Sequence, residues 1–373
     1  MTVKRSYRIN NKIFSNEDFI KDCPNHDFLP TILPPVPRII AIGDIHGDLN
    51  LAINSFKLAK LIDDNHNWIA SPPDTIVVQV GDQIDSCRPI PGVSDCHNNR
   101  HSNDKSDDIN VMIFFDKMHE KASQMGGAVY SLLGNHELMN SQNNFNYVSH
   151  DNYHKFNYND DQGHIYTGPT GRKNAFKPGG PIANMMACKR QSTIIIGSTL
   201  FTHAGVLPVL AKKLDKFNFD GPTQLKYLNS IVRKWLLNKL SNENDVEFKT
   251  LIVDDTQKIS PFWTRIYGSI PNNVDLNSDH CFDSVKKTIE VFKIGQIVVG
   301  HTPQLFTNKE GINGTCYGTD GNHKLYRIDG GFSDSFKYFN DKDIIQVLEI
   351  LDDKYFRILT NYNSSDSTKF NDF

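Results

Sequence analysis

The chain has 373 residues, 38% of them apolar, with 3 Trp, 13 Tyr and 23 Phe, enough for a substantial core and against global disorder. Its formal charge of −3 argues against a general binder of nucleic acid or acidic membrane, which carries a basic excess. No stretch approaches the roughly 18–20 uninterrupted apolar residues of a bilayer-spanning helix, and the first residues lack an apolar core of signal-peptide length, so the expectation is a soluble cytoplasmic protein without membrane or nucleic-acid partners.

Residues 1–37 read as a polar N-terminal arm ending in Leu33-Pro34-Pro35-Val36-Pro37, whose prolines exclude a helix and suggest an extended lead-in packed on the outside. Regular alternation follows: buried strands at 38–43, 75–81 and 128–134, and helices at 49–62 and 109–124. Strand, helix, strand, helix, strand implies a parallel sheet with right-handed crossovers. Two segments break this rhythm. Residues 86–108 are rich in Pro, Gly, Ser, Asn and Asp, and residues 140–191 hold many Asn, Tyr, His and Gly with little periodicity. Both are expected to be irregular, as a surface excursion or a binding lid.

Residues 193–201 read as a strand pair or one long strand. A helical block follows within 206–290, with 224–240 its clearest element, and 294–300 is another buried strand. Strands at 324–328, 344–351 and 355–360 are expected to close the chain in antiparallel fashion. We read one catalytic domain over 38–360, with insertions at 86–108, 140–191 and 206–290, then a flexible tail at 361–373. Cys23, Cys87, Cys96, Cys188, Cys281 and Cys316 are spread too thinly to suggest a disulfide framework. Cys87 and Cys96, near His97 and His101, could form a disulfide or a small zinc site, or be ordinary loop residues.

Five short segments carry the chemistry: Gly43-Asp44-Ile45-His46-Gly47, Gly81-Asp82-Gln83-Ile84-Asp85, Gly134-Asn135-His136-Glu137, Thr202-His203-Ala204-Gly205 and Gly300-His301-Thr302-Pro303. Each follows a run of β-branched and apolar residues, so each places its side chains at a strand end, where open α/β sheets bind ligands. Carboxylate, imidazole and amide donors without thiolate suit a pair of hard or borderline divalent ions. Read singly, Asp82 fits a turn or a cap, and His203 or His301 a core position. All five in series at strand ends do not.

This series resembles the calcineurin-like metallophosphoesterase superfamily, in the phosphoprotein-phosphatase-like branch and nearest to the Shewanella-like phosphatases. The resemblance covers roughly residues 38–335 by motif order. It implies a four-layer αββα sandwich of two mixed β-sheets flanked by helices, with two metal ions about 3.5–4 Å apart. By position, Asp44, His46 and Asp82 would hold the first ion, and Asp82, Asn135, His203 and His301 the second. Manganese is favoured, with iron or zinc as alternatives. A metal-bridging hydroxide would attack phosphorus in line, His136 would protonate the leaving oxygen, and Asp85 would orient His136.

Arg265, in Pro261-Phe262-Trp263-Thr264-Arg265, resembles an arginine that grips phosphate oxygens bidentately. Where related enzymes continue Gly-Asp-x-x-Asp with Arg-Gly, this chain has Ser86, Cys87 and Arg88. The phosphate clamp is therefore expected from Arg88 reaching in, or from Arg265 alone, with Asn135 also on the substrate side. Asp329 matches a family position near the last ligand or is a turn residue. The resulting expectation is a protein phosphatase acting on phosphoserine, phosphothreonine or phosphotyrosine. Alternatives are a hydrolase of dinucleoside polyphosphates or other small phosphoesters, which needs a closed pocket, and a pseudophosphatase that binds phosphorylated partners. Oligomeric state is not readable from the residues.

Overall fold

Alternate residues along the early strands serve two different cores, and this sets the layer order. In a computed structural model of the chain, residues 16–91, 95–100 and 104–361 are described. The strands are β1 (Ile32–Leu33), β2 (Arg38–Ile42), β3 (Ile76–Gln79) and β4 (Ala128–Leu132), followed by the small hairpin β5 (Asn157–Asn159) and β6 (Ile165–Thr167). Then come β7 (Arg190–Gln191), β8 (Thr193–Ile196), β9 (Thr199–Thr202) and β10 (Gln296–Val299). The last are β11 (Asn313–Tyr317), β12 (His323–Arg327), β13 (Gln346–Leu351) and β14 (Tyr355–Thr360).

Two six-stranded sheets result, ordered β14-β13-β2-β3-β4-β7 and β1-β8-β9-β10-β12-β11. Ile39, Ala41, Val78 and Val80 of the first sheet pack against Ile194, Phe201, Val298 and Ile328 of the second. Their neighbours Ile40, Ile42 and Val77 point the other way, onto Phe56, Phe114 and Phe115 of helices Leu49–Leu58 and Asp108–Gln124. On the far side, Leu200, Ile297 and Val299 pack with Leu228, Ile231 and Val232 of helix Gly221–Leu236. The period of two in a strand thus builds helix, sheet, sheet, helix, which is the expected αββα sandwich.

Strands β2, β3 and β4 are mutually parallel, as are β9, β10 and β12. The closing strands depart from the simple antiparallel expectation: β13 and β14 pair antiparallel, but β12 lies parallel to β10 and antiparallel to β11. The segment 193–201 is a strand pair, β8 with β9.

Three expectations need correction. Helix Asn16–Asp22 buries Phe19, and β1 pairs with β8, so this part of the N-terminal arm is built into the fold instead of lying outside it. The segment 140–191 is not an irregular lid. Helices Gly168–Phe176 and Pro181–Lys189 bury Ala175, Phe176, Ile182, Ala183 and Met186 in the core. Polar residues masked this amphipathic pattern in the sequence. The tail 362–373 and His101 lie outside the described residues.

The cysteine reading is the third correction. Disulfides join Cys23 to Cys188, Cys87 to Cys96 and Cys281 to Cys316. Two of these close loops of 165 and 35 residues, which no local spacing reveals. Pairing of Cys87 with Cys96 removes the thiolates a zinc site would need. The Cys23–Cys188 bridge ties the N-terminal helix to the core. With so long a loop, loss of chain-entropy restraint in Cys23→Ser/Cys188→Ser is expected to remove about 4–5 kcal/mol of stability. The urea midpoint should fall accordingly, and an unchanged midpoint would refute the restraint.

Candidate active site

The ends of β2, β3, β4, β9 and β10 converge. The backbone N–H groups of Ile45 and His46 both donate to the Asp82 carbonyl, at 3.0 and 2.9 Å, and Gly300 N donates to His203 O at 2.8 Å. These bonds lock the motif loops to one another. His46, Asp82, Asp85 and His301 all have positive φ, between 48° and 71°. Such backbone is costly for non-glycine residues and persists where surrounding structure imposes it, typically at functional sites. The loops also leave no room for extra atoms: a Cβ on Gly134 would fall 2.1 Å from Asp82 Oδ1, and one on Gly300 would fall 2.3 Å from Asp44 Oδ1.

Asp82 is the shared member of two clusters. Its Oδ2 lies 3.9 Å from His46 Nε2, 3.8 Å from His136 Nε2 and 3.3 Å from His203 Nε2. Ligand atoms of His46, Asp82 and His136 fall within 4.8 Å of one another, and so do those of Asp82, His203 and His301. Asn135 Oδ1 is 2.9 Å from His203 Nε2, and Asp44 Oδ2 is 3.9 Å from His46 Nε2. The six expected metal ligands are therefore brought together. His136, expected as an acid, stands in the same cluster, its Nε2 3.8 Å from Asp82 Oδ2.

His46, His203 and His301 each have one ring nitrogen engaged by a backbone carbonyl. His46 Nδ1 meets Ile84 O at 3.3 Å, His203 Nδ1 meets Val80 O at 2.9 Å and His301 Nε2 meets Trp263 O at 3.1 Å. This arrangement fixes the tautomer and leaves the other nitrogen as a lone-pair donor to the centre. Burial, with Arg88 near the first and His203 near the second, pushes His46 and His301 well below the usual imidazole range, which favours the neutral ring. Although burial opposes it, Asp82 raises His203. Asp44 is pushed well up by burial and by Asp329 and Asp82. Burial likewise lifts Asp329 to about 6, and its Oδ2 is buried without a hydrogen-bond partner. Crowded buried carboxylates, an orphaned carboxylate oxygen and pre-oriented imidazoles fit divalent cations.

Beside this centre, His136 Nδ1 lies 2.8 Å from Asp85 Oδ2, and both side chains are buried. Glu137, which the sequence reading passed over, accepts from the backbone N–H of Asp82, Gln83 and Gly134 at 3.0, 2.8 and 2.7 Å. One carboxylate thus ties the β3 loop to the β4 loop. Its place in Gly-Asn-His-Glu was the available signal. Asn140, Asp108 and Arg172, which surround Asp85, had none.

Two grooves open beside the centre. One, of about 350 Å³, runs past His46, Ser86, Arg88, Lys105, Ser335 and Tyr338. The other, of about 440 Å³, includes Lys258, Trp263 and Arg265. Arg88 donates to Asp85 O and Cys87 O, and its guanidinium lies over the rings of Phe336 and Tyr147, at 4.8 and 5.6 Å. Arg265 donates to His301 O at 3.1 Å. Both arginines named from sequence therefore border the centre, on different grooves. Ser86 Oγ accepts from Asn152 at 3.3 Å. No helix among the described residues is long and apolar enough to cross a membrane.

Comparison with known proteins gives a match to the calcineurin-like phosphoesterase model over residues 37–305. An uncharacterized protein of Acanthamoeba polyphaga mimivirus is 67% identical over 250 residues, covering 67% of this chain and 99% of that one. Shewanella-like protein phosphatase 2 of Arabidopsis thaliana is 25% identical over 370 residues, covering 90% of this chain and 81% of that one. The fold is similar to that of a cold-active protein tyrosine phosphatase, with TM-score 0.58 and 18% identity over 89% of this chain and 78% of that one.

Proposed function

Because the chain belongs to the calcineurin-like phosphoesterase family, we propose that it removes phosphate from phosphoproteins, using two divalent ions held by Asp44, His46, Asp82, Asn135, His203 and His301. A metal-dependent phosphoester hydrolase is the coarse reading, in keeping with the phosphatase names of its relatives. The observation that supports the two-ion centre is Asp82, whose single carboxylate faces imidazoles on both sides. When bound, such a pair of ions lowers the pKa of water and neutralises charge on a phosphoryl group.

The chain's own residues supply the rest. Arg88 and Arg265 would hold phosphate oxygens from the two grooves, where a planar guanidinium offers paired donors. His136 would protonate the leaving alkoxide or phenoxide from Nε2, since Nδ1 is engaged by Asp85. Protein substrates are favoured over dinucleoside polyphosphates because the grooves are lined mainly by other segments: from 140–191, Ser149 lines the first and Tyr147 stands beside Arg88 and His136.

The test is hydrolysis of phosphoserine, phosphothreonine and phosphotyrosine peptides, with diadenosine tetraphosphate as competitor substrate. Assays would be run with Mn²⁺, Fe²⁺ or Zn²⁺. Phosphopeptides should be turned over with Mn²⁺, lost on chelation and regained on metal return. Inactivity with every metal would leave only phospho-binding, and faster turnover of the dinucleotide would overturn the protein-phosphatase reading.

A further inference from the structure

Arg172 belongs to none of the five motifs. It sits in helix Gly168–Phe176 and is fully buried, with Phe176 4.8 Å from its guanidinium. Its donors fan out over the groups that hold Asp85. Nη2 donates to Asp108 Oδ2 at 2.8 Å and to Asp85 Oδ1 at 3.3 Å, and Nε donates to Asn140 Oδ1 at 2.9 Å. Nη1 donates to the Asn152 carbonyl at 3.3 Å.

The Nε bond has a consequence. An N–H donor can be met only by the oxygen end of the Asn140 amide, so the amide nitrogen must face the other way. There it donates to both Asp85 oxygens, at 2.9 and 3.0 Å, and to the His136 carbonyl at 3.0 Å. Asp108 completes the frame, its Oδ1 accepting from Asp85 N–H at 3.0 Å. The Asp85 carboxylate is therefore gripped by Arg172 directly and by Asn140 under the control of Arg172. Held in this way, Asp85 turns Oδ2, which also accepts from Asn140, toward His136 Nδ1 at 2.8 Å.

Charge points the same way. Asp85 and Asp108 are two buried carboxylates that share one buried guanidinium, at 3.3 and 2.8 Å, so removing Arg172 would leave both without their cation. Resting on the phosphatase reading above, the geometry points to Arg172 as a positioning residue for catalysis: through Asn140 and Asp85 it fixes the orientation of His136. A lysine keeps the charge but cannot reproduce this fork of donors.

The decisive comparison is Arg172→Lys against the parent holoenzyme, with phenyl phosphate and p-nitrophenyl phosphate. Phenoxide is the poorer leaving group and needs the acid more. We expect kcat on phenyl phosphate to fall by about 10–100-fold, the cost typical of losing a residue that orients a functional histidine. The loss on p-nitrophenyl phosphate should be far smaller, with KM unchanged. In an Asp85→Asn background, Arg172→Lys should add nothing further. Asn140→Ala, which breaks the relay but spares the Arg172–Asp108 pair, should show the same leaving-group signature. Equal losses on both substrates, an effect on KM alone, or additivity with Asp85→Asn would overturn the proposal. Nitrogen-15 spectra of His136 give a readout without turnover: Nδ1–H should dominate in the parent and lose that dominance in Arg172→Lys. An inactive parent would sink the phosphatase reading, while an unchanged His136 spectrum would sink this one.

Discussion

Replacing Asp82 with asparagine is expected to remove bound metal and to abolish hydrolysis of p-nitrophenyl phosphate. The reason lies in Oδ2, which stands within 3.9 Å of His46, His136 and His203. An asparagine in that place offers one neutral oxygen where two clusters share a carboxylate. Ions in such sites supply several kcal/mol of transition-state stabilisation, so their loss corresponds to a rate reduction of more than about 10³. Folding should survive, because asparagine keeps an oxygen to accept from His136 N–H, a bond now made by Oδ1 at 3.0 Å. Removing one of three crowded carboxylates should also ease the repulsion that raises Asp44 and Asp329. Metal content by elemental analysis, thermal melting of the metal-free protein and steady-state rates together check this. A variant that retains both ions and parental activity would show that Asp82 is not the shared ligand.

The second large effect is expected from His136→Asn, and its pattern differs. This side chain is tied by Nδ1 to Asp85, so Nε2 is the nitrogen available to a leaving oxygen. General acid catalysis contributes roughly 10²–10⁴ in rate, so a loss of that order is predicted for phosphopeptides and phenyl phosphate. With p-nitrophenyl phosphate the deficit should shrink, because that leaving group departs without a proton. Metal content should stay near the parental value, since Asp44, His46, Asp82, Asn135, His203 and His301 all remain. Uniform loss across leaving groups accompanied by metal loss would reassign His136 as a ligand, a role its 3.8 Å approach to Asp82 makes the natural competitor.

Much of the candidate site was legible because its residues follow buried strands directly. A strand end fixes where the next two or three residues lie, so Asp44, Asp82, Asn135, His203 and His301 needed only local pattern to be placed. Arg88 and Arg265 were legible only as arginines near motifs. The structure decides that they border separate grooves. Arg172, Asn140 and Asp108 could not be found at all. They meet Asp85 from positions 87, 55 and 23 residues away, and no periodicity records such an encounter.

The αββα class came with the family resemblance that the motifs carry; by itself the sequence determined the strand–helix alternation of the first half and the set of carboxylates and imidazoles at strand ends. Those are consequences of local apolar alternation and of turns that start where strands stop. Only the tertiary structure decided that 140–191 is a core-forming helical segment, that six cysteines form three bridges, and that a buried arginine stands behind His136. The physical reason is common to all three. Packing, disulfide closure and buried charge pairing are contacts between residues far apart in the chain, and their energies depend on distances that exist only after folding.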